Sequence, residues 1–128
     1  MKSPVTRILV IDDDSDIREV VGEALQFAGY EVSTARDGRE GLASAWSFRP
    51  DLILLDLMMP GMSGWEFRAA QLRDAVLSRI PVVVVTALGH DPDIQASAVL
   101  AKPFRLDDLL VHVRRFCGDA VPLTDARH

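Results

Sequence analysis

The chain contains a single cysteine, Cys117, so no disulfide can form within it. A reducing cytoplasm is therefore the expected setting. No apolar stretch is longer than a strand, which argues against a membrane-spanning helix. The opening "MKSPVTRILVIDDD" has neither the long apolar segment nor the small-residue cleavage site of a secretory signal. There is no Lys/Arg run and the net charge is −5, which argues against nucleic-acid binding by this domain. Internal repeats and low-complexity stretches are also missing. What is present is ordinary for a soluble globular protein: 128 residues, 48% hydrophobic and 26% charged. That is enough for one domain with one substantial core.

Five strand-like runs alternate with helical patterns. "RILVI" (7–11) is apolar and β-branched, then breaks into "DDD". Ile17, Val20, Val21, Ala24, Leu25 and Ala28 form one face of an amphipathic helix over 15–28, which Gly29 stops. Asp14 or Ser15 is the expected cap. "YEVSTA" (30–35) alternates like a half-covered edge strand, and a helix follows over 37–48. "LILLD" (52–56) and "PVVVVTA" (81–87) read as central strands covered on both faces. Between them, the turn cluster "PGMSG" (60–64) leads into a helix expected over 65–77. "VLA" (99–101) is a short fifth strand, and a last helix is marked by Leu106, Leu109, Leu110, Val113, Phe116 and Cys117. The alternation predicts an α/β fold, a parallel sheet with helices on both faces. Ligands in such sheets sit beyond the carboxyl ends of the strands. Asp12, Asp13, Asp56, Thr86 and Lys102 all fall there.

Asp56 poses a physical problem, because a buried strand excludes an unpaired charge. Three converging carboxylates (Asp12, Asp13, Asp56) repel one another unless a cation joins them, and a small cluster of hard oxygens suits Mg²⁺. Beside such an ion an ionised carboxylate can attack a phosphoryl group and form an aspartyl phosphate. Lys102 supplies a positive charge and Thr86 a hydroxyl donor. The reading makes Asp56 a nucleophile. Taken singly, these residues also suit blander roles: a solvated, capped turn for Asp12–Asp14, a strand end for Thr86, a solvated Lys102. Trp46 and Trp65 read as packing or partly exposed residues. His90, His112 and His128 lack ligand spacing and read as surface residues.

The segments "LVIDDDSDIR", "DGREGL", "PDLILLDLMMPGMSG", "PVVVVTA" and "LAKPF", in this order, closely resemble the response-regulator receiver domain of two-component signalling. The resemblance covers roughly residues 5 to 117. It implies a flavodoxin-like doubly wound five-stranded parallel sheet in the order 2-1-3-4-5. It implies that Asp56 accepts a phosphoryl group from a phosphohistidine on a sensor histidine kinase or histidine phosphotransfer protein. Mg²⁺ is implied on Asp13, Asp56 and the main-chain carbonyl of Met58, with Asp12 acting mainly through water. Thr86 and Lys102 would contact the phosphoryl oxygens, and the Lys102–Pro103 bond would be cis. Ser15, Arg18, Gly22 and Phe104 are expected at the kinase interface, although Phe104 equally suits packing onto the last helix. Met58 and Leu88 flank the approach of hydrolytic water, which implies slow self-dephosphorylation. Catalysis would be confined to the chain's own phosphorylation and its slow reversal.

Two departures from the family stand out. Thr86 and Lys102 are only 16 positions apart, so the fourth helix is expected to be shortened to about a turn within "DPDIQAS". Val99 stands where the aromatic switch residue is usual. Residues 118–128 read as a short tail with no output domain, so output is expected to need an unknown partner protein. The alternative function is a receiver-like interaction module that works without phosphorylation. An aspartate-nucleophile phosphatase would carry a second acid at Met58. A flavin protein of this topology would need a phosphate loop where "DDDSD" stands.

Overall fold

β1 (Arg7–Ile11), β3 (Leu52–Asp56) and β4 (Val82–Thr86) are built almost wholly from β-branched residues and Leu. Such side chains suit a pleated surface that is covered on both sides. In the computed structural model, which describes residues 6–87 and 94–118, β3 and β4 are buried at every position. β2 (Glu31–Ala35) and β5 (Ala98–Ala101) lie at the two edges, and the parallel sheet has the order β2-β1-β3-β4-β5. All four strand pairings are parallel.

Period-two alternation sends Leu9, Ile11, Ile53, Leu55, Val82 and Val84 to one face. There they pack with Ala45 of α2 (Gly38–Phe48) and Phe67 of α3 (Gly64–Leu72). Ile8, Val10, Leu52, Leu54 and Val83 face the other way. They pack with Val21 and Leu25 of α1 (Ser15–Phe27) and with Leu109 and Val113 of α4 (Leu106–Cys117). The strand order reverses between β1 and β3, which places Asp12 and Asp56 side by side at the crevice where such sheets bind ligands.

Local chemistry sets the helix ends. The Asp14 carboxylate accepts from the N–H groups of Asp16 and Ile17 and so caps α1. Gly29 follows that helix with φ 103°, a conformation open to glycine at little cost. Ser63 and Glu66 form a reciprocal capping box on α3. α3 stops at Leu72, short of the expected 77. The Asp74 carboxylate takes the N–H groups of Val76 and Leu77, closing a turn that leads into a 3₁₀ segment, Leu77–Arg79.

Between β4 and β5 the described residues 94–97 form no helix. The rest of the expected short fourth helix, with Leu88 and His90, lies outside the described residues, as does His128. His112 is not a simple surface residue. It is half-buried on α4, and its Nδ1 is enclosed without a hydrogen-bond partner among the described residues. Trp46 is partly exposed and stacks under Arg49, while Trp65 is half-buried against the core. No helix among the described residues is long and apolar enough to cross a membrane.

Candidate functional site

Each residue of the candidate site lies at or just beyond the carboxyl end of a strand. Asp12 follows β1, and its N–H donates to the Ala35 carbonyl at the end of β2. Its Oδ1 accepts the Asp14 N–H at 2.9 Å, and its Oδ2 lies 2.8 Å from Lys102 Nζ. Asp56 ends β3 and is only 4% exposed. Asp56 Oδ1 takes the Met58 N–H at 3.3 Å, and Oδ2 lies 3.6 Å from Lys102 Nζ. Thr86, the last residue of β4, is buried, and its carbonyl accepts the Lys102 N–H at 2.7 Å. That bond fixes Lys102 directly after β5. The Lys102–Pro103 peptide is cis.

Asp13 is exposed, but its carboxylate completes a cluster with Asp12 and Asp56. One oxygen from each lies within 4.8 Å of the others. Burial, then the neighbouring Asp12 charge, push Asp56 up to about 6. Lys102 and the Met58 N–H pull the other way, and a hydrogen bond with Asp13 adds to the rise. Burial alone would lower the Lys102 ammonium; its hydrogen bond and ion pair with Asp12, and the Asp56 charge, outweigh that and raise it. One lysine thus serves two buried carboxylates and leaves a third beside them, a donor set of hard oxygens with negative charge to spare. That fits a divalent cation such as Mg²⁺. Met58, next along the loop, is 53% exposed.

Beside the cluster an apolar groove of about 460 Å³ opens between α1 and the turn after β5, bounded by Ile17, Val20, Ala87, Pro103 and Phe104, with Lys102 in its wall. Phe104 is half-buried and also packs on the α1/α4 face of the core. Of the other expected interface residues, Ser15 is exposed and Arg18 half-buried. Gly22 is buried and turned toward Val32 of β2.

Two features escaped the sequence reading. Arg18 donates from its guanidinium to the Asp12 carbonyl at 2.8 Å. Arg68 and Gln71 are buried on α3. Arg68 donates to the Gln95 carbonyl and to Gln71 Oε1, both at 2.8 Å, and Gln71 Nε2 donates to the carbonyls of Leu77 and Ile80. A signal for this network was available, because Gly64, Phe67, Arg68 and Gln71 have the spacing of one buried helix face.

Residues 8–114 match the family model of the response regulator receiver domain. The DNA-binding dual master transcriptional regulator RpaA of Synechocystis is 44% identical over 114 residues, 84% of this chain and 47% of that protein. The chain spans about half the length of the curated relatives it matches. Among solved structures, chemotaxis protein CheY4 of Vibrio cholerae aligns with a TM-score of 0.81 at 37% identity, over 88% of this chain and 98% of that one. Response regulator TrrA of Thermotoga maritima, solved in complex with Mg²⁺–BeF, aligns with a TM-score of 0.79 at 34% identity, over 88% of this chain and 99% of that one. The sheet order, the acidic crevice and the family match agree, and the chain belongs to the response-regulator receiver domains.

Proposed function

We propose that Asp56 accepts a phosphoryl group from a phosphohistidine of a sensor kinase or phosphotransfer protein, within a two-component or phosphorelay pathway of the cytoplasm. The observation that carries this is a carboxylate closing a central strand, 4% exposed, beside two further carboxylates and a lysine. An Asp56 oxygen forms the new bond to phosphorus while the bond from phosphorus to the donor imidazole nitrogen breaks. The imidazole keeps the electron pair and takes a proton from solvent. Asp12, Asp13, Asp56 and the Met58 carbonyl are the groups that would hold Mg²⁺. The neighbour TrrA was solved with that ion. Bound there, Mg²⁺ would offset part of the negative charge of the carboxylates and of the phosphoryl oxygens. Lys102 offers its ammonium to a phosphoryl oxygen while still paired with Asp12, and Thr86 offers its hydroxyl.

Residues 5–117 act in this reading as the receiver unit, whose phosphorylated surface is read by an output protein. Val99 is 42% exposed and has no ring, so output through an aromatic at that position is not available. The groove along Ile17, Val20 and Phe104 suits an apolar helix of the phosphodonor. Phe104→Ala should slow transfer from a protein donor and spare labelling by acetyl phosphate; equal loss in both assigns Phe104 to packing. Met58 cannot orient water as a polar side chain can, so the phosphorylated state should be long-lived. Decay after donor removal, compared with Met58→Asn, measures this, and a wild-type lifetime of seconds would oppose it. The function itself is tested by exposure to acetyl phosphate with Mg²⁺ and by a panel of phosphohistidine donors. A gain of one phosphoryl group is expected, abolished in Asp56→Asn.

A further inference from the structure

We propose that Arg18 is a positioning residue for the divalent-cation cluster, holding the turn between β1 and α1 so that Asp12 and Asp13 face Asp56. This rests on the reading that those three carboxylates hold Mg²⁺.

Arg18 stands in the first turn of α1, where the helix dipole disfavours a cation. Acids surround it in sequence: Asp13, Asp14, Asp16, Glu19 and Glu23. Yet among the described residues no carboxylate pairs with it. Its guanidinium instead reaches back to the carbonyl of Asp12 at 2.8 Å. That carbonyl belongs to the peptide joining Asp12 to Asp13, so its direction helps set where both side chains leave the main chain. The Asp12 N–H, in the preceding peptide, is held by the Ala35 carbonyl, and the Asp14 N–H by Asp12 Oδ1. Arg18 is the one side chain among the described residues that donates to this peptide from the helix, so it closes the turn. Groups that orient metal ligands without touching the metal commonly govern affinity by about tenfold or more.

The proposal has a sign that separates it from its rivals. A cation near a cation site repels the metal, so if Arg18 acted only through its charge, removing it would tighten Mg²⁺ binding. If it served only to dock a phosphodonor, removing it would leave Mg²⁺ binding as it was. As a positioning residue, its loss weakens Mg²⁺.

The test is a Mg²⁺ titration followed by thermal melting and by calorimetry, on wild type, Arg18→Met and Arg18→Lys. Arg18→Met keeps the aliphatic stem and removes the donor; it should bind Mg²⁺ about tenfold more weakly, with little change in melting temperature at zero Mg²⁺. Arg18→Lys, which keeps a donor on a chain of similar reach, should recover part of the loss. It also supplies the reading if the methionine variant folds poorly. Labelling by acetyl phosphate should need correspondingly more Mg²⁺ in Arg18→Met. Equal or tighter Mg²⁺ binding in both variants overturns the positioning role while leaving the phosphoacceptor reading intact. A wild type that does not respond to Mg²⁺ overturns both.

Discussion

Among the described residues, charge is buried in two places, and the two are treated differently. On α3, Arg68 is 9% exposed and faces no carboxylate among the described residues, yet neutral acceptors satisfy it: the Gln95 carbonyl and Gln71 Oε1. Gln71 in turn spends both amide hydrogens on Leu77 and Ile80. That network ties α3, the 3₁₀ segment and the strand-to-strand connection into one piece. Burial still lowers the Arg68 guanidinium, but its Nε and Nη1 donors are both matched. At the carboxyl end of the sheet the opposite holds. Two buried carboxylates share one lysine, a third lies beside them, and Asp56 is pushed up to about 6. A polar group buried for architecture comes with its partners; one buried for chemistry is left needing something from outside.

The largest expected effect breaks the first of these. Gln71→Leu is similar in volume but leaves the Leu77 and Ile80 carbonyls and the Arg68 guanidinium short of partners. It should cost about 3 kcal/mol in denaturant unfolding, while the Mg²⁺ dependence of stability persists. Loss of that dependence would show that the two regions are not separate.

Lys102→Met attacks the second. It leaves Asp12 buried against Asp56 with no cation, which should cost about 2 kcal/mol without divalent ions, less than a fully buried pair because Lys102 is partly exposed. Millimolar Mg²⁺ should recover part of that cost, since an ion that binds only the folded state stabilises it. A variant as stable as wild type in EDTA would mean that the carboxylates do not need the lysine.

These two regions also differ in how far the sequence announced them. Asp12, Asp13, Asp56, Thr86 and Lys102 could be read because each interrupts an apolar strand at its end, where a polar residue has no packing reason to be. The central strands and the sheet order followed from their β-branched runs and from the family resemblance. Arg68 and Gln71 are hard to single out because the stretch "WEFRAAQL" looks like a surface helix; only the 64/67/68/71 spacing marks that face as core. The sequence extends α3 to Leu77 because Ala75, Val76 and Leu77 continue an apolar pattern, while the Asp74 turn that stops the helix is a local side-chain bond. Arg18 reads in sequence as a docking residue, and its reach back to the Asp12 carbonyl leaves no mark there.

A smaller effect sharpens the contrast through pH. The folded protein without divalent ions holds a proton on Asp56 up to about 6, whereas an unfolded aspartate loses it near 3.9. Between these values the folded state binds more protons than the unfolded state. Stability therefore falls as pH rises from about 4 to about 6 and stays lower above that. Asp56→Asn should remove this slope and, at pH 8 in EDTA, raise stability by about 1 kcal/mol. A variant less stable than wild type under those conditions would contradict the view that the cluster is strained by its own charge.

The most direct test follows the Asp56 side-chain carboxyl by NMR across a pH titration, once in EDTA and once in excess Mg²⁺. The expected midpoint is about 6 without the ion, moving well below that when Mg²⁺ is present, because the bound cation favours the ionised form. A midpoint near 4 in EDTA that Mg²⁺ does not move would contradict the claim that Asp56 is held in a site built to receive a cation and a phosphoryl group.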